Sequence, residues 1–423
     1  MKLSKGYLFV FLYGLGATIS IRVVGILAIS DIISILLIPF LISRRNMFVD
    51  SRFRKLLFFL FLWFVATFIS DIVNESNLIN SLKGFFTLVP FFSSLLFAYW
   101  VLRQNIRLII PFLLGYSISF LLSAGFGIDA YYQESLARNN LTNASQLGHY
   151  SKIILWVIAS FINGYFVLVY YKKKPKMVAL ILFILSLFLL IKGVRSSFLI
   201  CFLVSVILLL IEKQTFNIPY TGKSWTKKLN KKKGVFILFI IASIFISKSL
   251  YEYGAENGIL GEEEEIKYRL QSNSKLGLLS GRPGVVIAYY AILDSPLFGH
   301  GSYARDEKGF SYEAGTMVTD LGQSMDILYD NIGEEQIEAH SHILQAWVNN
   351  GILATFFWFY VLFGIAGKFY RNYLFSKPEF FAYALISLLS LYWSILFNPF
   401  QQKPFLAFNI IFFVVLMQKK QIF

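Results

Sequence analysis

Apolar residues run along this chain in blocks of 15 to 24, separated by shorter polar stretches that carry most of its Lys and Arg. Blocks of this length are the signature of membrane-spanning helices, because crossing the hydrocarbon core takes about 20 residues. The pattern predicts twelve spans, near 6–21, 24–42, 56–73, 82–101, 107–126, 149–170, 177–192, 195–211, 235–250, 343–366, 380–397 and 404–418. The two shortest intervals, around Arg22 and around Gly193, also suit re-entrant turns. The expected fold class is all-α, a polytopic helix bundle. It divides into nine spans within 1–250, a large loop at 251–342 and three spans within 343–423. No internal repeat of the kind that marks many secondary transporters is visible.

The first block, entered from Met1 to Lys5, resembles a secretory signal. A second block follows at once, and no small-x-small cleavage site separates them, so an uncleaved first span is expected.

Composition agrees with the pattern. Apolar residues make up 57% of the 423 positions and charged residues 15%, too little polar surface for a water-soluble body of this size. The aromatic share of 18% suits lipid-facing surfaces and interfacial belts. Cys201 is the single cysteine, which excludes an internal disulfide, a Cys-based zinc site and a thiol motif.

The formal charge of +15 would suggest nucleic acid if the cations were clustered on one domain. They fall instead in alternate loops: Arg44 to Lys55, Arg103 and Arg107, Lys172 to Lys176, Lys223 to Lys233, Lys368 to Lys377, and Lys419 with Lys420. Cytoplasmic loops retain positive charge, so both termini are expected to be cytoplasmic, and no nucleic-acid partner is implied. The 251–342 loop then faces outward, and it opens with the acidic run Glu262 to Glu265. That run reads as a solvated face, because a calcium loop alternates its ligands with turn residues.

Within the loop, Gly281-Arg282-Pro283-Gly284 followed by Val285 to Leu293 predicts a helix with Pro in its first turn, ended by Asp294-Ser295-Pro296. His340 to Asn350 predicts a short second helix ended by Gly351. Outer-side cations that escape the positive-inside pattern are Arg138, Arg195 with Lys192, and Arg282. Guanidinium groups offer a planar fork of donors that matches phosphate oxygens, so such a set suits a diphosphate. An arginine at this depth also snorkels to lipid phosphates or pairs with an acid such as Glu134.

Only four histidines occur, and two of them stand together in Ala339-His340-Ser341-His342. A neutral imidazole near pH 7 can take a proton from a sugar hydroxyl, or it can anchor the chain at the membrane surface. An i, i+2 pair with no third His nearby is a poor metal site. His149 and His300 read as structural. Asp31 and Asp71, close to apolar spans, read as paired carboxylates holding helices together.

The succession Gly281-Arg282, then Pro296-Leu297-Phe298-Gly299-His300-Gly301, then His340-Ser341 with Leu344, Gln345 and Gly351 resembles the bacterial O-antigen polymerase and O-antigen ligase superfamily. The turn Gly193-Val194-Arg195-Ser196-Ser197 is similar to that family's arginine-serine turn. This chain departs from the pattern at Ser341, where the family commonly has Asn, and at Asn349, where an acid is frequent.

The resemblance implies a GT-C-like bundle in the bacterial inner membrane that transfers glycan on the periplasmic face from an undecaprenyl-diphosphate-linked donor, with no cofactor and no essential metal. It implies that Arg195 and Arg282, aided by Arg138 and Lys192, hold the diphosphate, and that His340 or His342 deprotonates the acceptor hydroxyl. The acceptor would be a second lipid-linked repeat unit in a polymerase, or the lipid A core in a ligase. Membrane lipids and other polysaccharide assembly proteins are the remaining partners it implies. A transporter or flippase of the same lipid-linked glycan is the alternative from another class; it would place its cations deep in a cavity.

Overall fold

The computed structural model describes residues 5–22, 26–126, 154–215, 283–320, 336–337, 339–374, 378–400 and 403–418, and, between 242 and 268, residues 242, 245, 246, 248–260, 265 and 268. In chain order it contains α1 (Lys5–Leu15), a hairpin of β1 (Ser20–Arg22) and β2 (Ile26–Ala28), α2 (Ile29–Leu36), α3 (Ile38–Ser43), α4 (Ser51–Val73), α5 (Leu78–Gln104) and α6 (Ile109–Phe126). Then come α7 (Ile154–Tyr170), α8 (Pro175–Ile191) and α9 (Arg195–Thr215). The last group is α10 (Pro283–Asp294), α11 (Phe310–Asp320), α12 (His342–Asn350), α13 (Ile352–Asn372), α14 (Pro378–Phe397) and α15 (Lys403–Leu416).

The described chain is mostly helical, and its one sheet is the two-stranded hairpin. Among the described residues, five helices are long and apolar enough to cross a membrane: α4, α5, the segment Ile106–Ser123 that includes most of α6, α13 and α14. Six further apolar helices are shorter. This is the expected class of membrane helix protein.

The largest departure is at the N-terminus. In place of spans at 6–21 and 24–42 stand an 11-residue helix, the antiparallel hairpin pairing Ser20 with Ala28, and helices of 8 and 6 residues. At 1.5 Å per residue, α1 is about 16 Å long, half the thickness of a hydrocarbon core. The reason is local: Asp31 accepts the Ala28 N–H at 3.1 Å and fixes a new helix start, and Pro39 sits in the first turn of α3. The re-entrant alternative for this interval describes it better. A second correction concerns 343–366, which is broken at Gly351; the span itself is Ile352–Asn372. Most of the predicted span at 235–250 lies outside the described residues.

The chain forms two compact units. Unit 1 comprises Met1–Leu141, Leu270–Arg371 and Leu391–Phe423, and unit 2 comprises Thr142–Arg269 and Asn372–Ser390.

In unit 1, α5 packs on α15 and on α2, α1 packs on α6, and α4 packs on α13. Lipid is as apolar as the helices it surrounds, so close packing and buried polar bonds must hold the bundle together. Aromatic rings do much of this: Phe112 stacks on Phe408 with centroids 3.7 Å apart, and Phe53 on Tyr99 at 3.8 Å. Inside α5, Pro90 has no N–H to give the Phe86 carbonyl. Lys403 at the start of α15 approaches that carbonyl at 3.5 Å instead.

The loop helices α10 and α11 share a small core of Val286, Ile287, Ala291, Phe310 and Ala314 with Val348 of α12. As predicted, α10 begins with Pro in its first turn and ends at Asp294. Asp306, 1% exposed, accepts the N–H groups of Phe310 and Ser311 and so starts α11.

In unit 2, α8 packs on α9 around the turn that holds Gly193. Cys201 is buried there and donates to the Asn163 amide oxygen at 3.4 Å.

Candidate functional site

A cavity of about 430 Å³ in unit 1 is walled by α4, α5, the 302–304 turn, the segment 336–340, α12 and the 399–400 turn. Both His340 and His342 line it.

The site rests on a latch between α4, the Pro296–Ser302 loop and the end of α12. Ser70 donates to the Asn349 carbonyl at 2.7 Å and accepts the Gly301 N–H at 3.1 Å. Asn74 donates to the Gly299 carbonyl at 3.1 Å. Asp71, 7% exposed, accepts both the N–H of Ser302 at 2.6 Å and its hydroxyl at 3.0 Å. On the other side, the His300 and Gly301 N–H groups donate to the Val348 and Asn349 carbonyls, and Trp347 donates to the Pro296 carbonyl at 2.8 Å.

Three glycines make this latch possible; at Gly299, φ +70°, a Cβ would come 2.7 Å from the Val348 carbonyl oxygen. Gly351 has φ +74°, and a Cβ there would collide with the Leu297 carbonyl. Gly301 has φ +88°, and a Cβ would meet the Ser76 hydroxyl. The Pro-x-x-Gly-x-Gly run is therefore a close-packing device: it lets the loop backbone lie directly against the C-terminal end of α12.

Tyr303, next in the chain, is held at φ +55°, a conformation that costs a non-glycine residue about 1 kcal/mol or more. Its ring lines the cavity, its hydroxyl lies 3.2 Å from that of Thr87, and the Lys83 ammonium sits 5.7 Å from the ring centre.

His340 and His342 occupy different environments. His342 opens α12 and is 3% exposed, with its ring 4.7 Å from Trp358 and 5.5 Å from Phe400. Its Nε2 lies 3.2 Å from the Pro399 carbonyl, so Nε2 carries the proton. Burial lowers its pKa from 6.5 to about 3, and the Pro399 bond opposes that shift only in part. It is a neutral ring that ties α12 to the 399–400 turn.

His340 is half-buried in the cavity wall. Its Nδ1 is shut away from solvent and has no hydrogen-bond partner among the described residues. The segment carrying it is pinned on both sides. Gln345 accepts the Ala339 N–H at 3.0 Å, and Ser341 caps α12 through the Leu344 N–H while donating to the Ile395 carbonyl at 3.0 Å. Ser341 thus serves as the helix cap.

Around His340 the lining combines the aromatic groups Trp63, Tyr303 and Phe400 with the carboxamides Gln336, Gln345, Asn349 and Asn350. Among the described residues, no three His, Cys, Asp or Glu side chains come together as a metal site.

Neither protein-family models, nor curated proteins, nor solved structures match this chain.

Arg138 and Arg282 lie outside the described residues. Arg195 and Lys192 belong to unit 2, where Arg195 opens α9 with its guanidinium 4.2 Å from the centre of the Tyr251 ring, and Lys192 is exposed in the preceding turn. His300 bonds the Ala291 carbonyl at 2.8 Å and packs on Phe310, the structural part predicted for it.

Sequence reasoning missed Lys83, Tyr303 and Trp63, and it gave Asp71 no specific partner. Lys83 lies at the start of the predicted span 82–101, at the end expected to face outward, so the charge pattern that singled out Arg282 applies to it as well.

Proposed function

We propose that this chain is a membrane glycosyltransferase that extends a surface polysaccharide, moving glycan from a polyprenyl-diphosphate donor to a sugar hydroxyl of a second lipid-linked unit. The observation that supports this most is the His340 wall of the cavity. There a half-buried imidazole stands among three aromatic side chains and four carboxamides, Gln336, Gln345, Asn349 and Asn350. Aromatic faces and carboxamides are the chemistry that holds a sugar ring.

In this reading the acceptor hydroxyl gives its proton to His340 as its oxygen attacks the anomeric carbon. The bond from that carbon to the diphosphate breaks, and the diphosphate leaves with the electron pair. The resemblance assigns Arg195 and Arg282, with Arg138 and Lys192, to the leaving group, where fixed positive charge lowers the barrier. His342 supports the site and is not its base, because burial lowers its pKa to about 3 and makes it a weak proton acceptor. The cytoplasmic termini and outward-facing loop are part of the same proposal and rest on the charge pattern.

The test is the glycan content of bacteria that lack the protein. Single repeat units on the lipid A core would identify the missing step as polymerisation. Full-length chains stranded on undecaprenyl diphosphate would identify it as ligation. Unchanged glycans would refute both.

A further inference from the structure

A second cleft, of about 340 Å³, lies at the other end of the α4 and α13 pair. Its walls carry Arg52 and Lys55 from the first turns of α4, and Lys368 and Arg371 from the last turns of α13. No acid lines it. The acid near it, Asp50, already accepts the Arg52 N–H at 2.8 Å and the Gln418 amide at 2.6 Å. Arg52 gives one N–H to the Met417 carbonyl and Arg371 one to the Gly367 carbonyl, which leaves most of each guanidinium fork available. Lys55 and Lys368 make no hydrogen bond or ion pair with the described residues.

Each helix therefore contributes a like-charged i, i+3 pair to one concave surface, an arrangement that is unfavourable in the absence of an anion. Positive charge scattered at a membrane face needs no such convergence. The cleft also continues into apolar surface: Phe363 in its wall is 64% exposed, and Phe356 and Tyr370 are exposed seven residues to either side.

Four cations above a strip of exposed aromatics fit a ligand that has a phosphate at one end and hydrocarbon at the other. We infer that this cleft binds the headgroup of an anionic membrane phospholipid, its phosphate held by Arg52, Lys55, Lys368 and Arg371 and its acyl chain lying along Phe363. Charge-assisted bonds from a basic pocket between helices supply the selectivity, and lipid contact supplies the retention. The site is separate from the His340 cavity and does not depend on the transferase reading.

The test is native mass spectrometry of the delipidated full-length protein, titrated in turn with phosphatidylglycerol, phosphatidylcholine and inorganic phosphate. Phosphatidylglycerol should be retained on the order of tenfold or more over phosphatidylcholine, with the preference shrinking as salt rises. A double variant, Lys55→Gln with Lys368→Gln, should lose that preference, whereas Lys172→Gln with Lys173→Gln in unit 2 should keep it. Should the first double variant fail to fold, the salt dependence of the wild-type preference carries the decision. Equal retention of the two lipids, a preference indifferent to salt, or inorganic phosphate binding as tightly as phosphatidylglycerol would each overturn the inference.

Discussion

The two ends of the α4 and α13 pair use opposite strategies. Arg52 and Ser70, which mark them on α4, are about 27 Å apart along the helix axis. At the Ser70 end, Ser70, Asp71 and Asn74 are all engaged in binding one loop, and the Asp71 carboxyl has both oxygens bonded. At the Arg52 end, four cations face a cleft with no acid in its wall. Satisfied polar groups hold a shape; unsatisfied charges wait for a counter-ion. The first end is thus organised before any ligand arrives, which is what a cavity for chemistry requires. The second is an electrostatic surface whose geometry a ligand would complete.

Substitutions should separate the two ends, beginning with the largest effect. Replacing Asp71 with Ala leaves the buried N–H and hydroxyl of Ser302 without an acceptor. The loss should be about 3 kcal/mol or more, read as a drop in thermal stability in detergent. A stability equal to wild type would mean that the latch does not hold the loop. Gly351→Ala forces a side chain into the Leu297 carbonyl at a positive φ and should cost about 2 kcal/mol, accompanied by faster proteolysis of the 296–302 loop.

His342 supplies a pH signature. Its folded pKa lies near 3 and its unfolded value near 6.5, so the unfolded chain binds a proton that the folded chain refuses. Its contribution is intact above pH 6.5 and is lost progressively as the pH falls toward 3. Melting curves should show His342→Phe losing less stability than wild type between pH 7 and pH 5; parallel curves would remove the assignment. At the opposite end, Lys55→Gln should change lipid-free stability by no more than about 0.5 kcal/mol, since nothing among the described residues depends on that ammonium. A large loss there would mean that the cleft is structural after all.

How much of this was readable beforehand follows the range of the interactions. The Pro283 helix start, the Gly351 cap and the clustering of His340 with His342 depend on neighbours in the chain, and local signals carried them. The latch joins Asp71 to Ser302, 231 residues apart, and nothing about an aspartate near a span says which backbone it will bind. The aromatic wall has the same character, because Trp63, Tyr303 and Phe400 come from three distant segments. The N-terminal misreading has another cause. Hydropathy reports how apolar a stretch is, and the Ser20–Ala28 hairpin is apolar enough to pass as helix until its pairing is seen.

The central claim is that His340 performs chemistry and His342 holds it in place. The direct measurement is glycan transfer by the purified protein from a synthetic undecaprenyl-diphosphate oligosaccharide, comparing wild type, His340→Ala and His342→Phe at equal amounts of folded protein. His340→Ala should lower the rate by roughly 10² to 10⁴ while the protein remains folded, and His342→Phe should retain most of the activity. Wild-type transfer by His340→Ala would contradict the account.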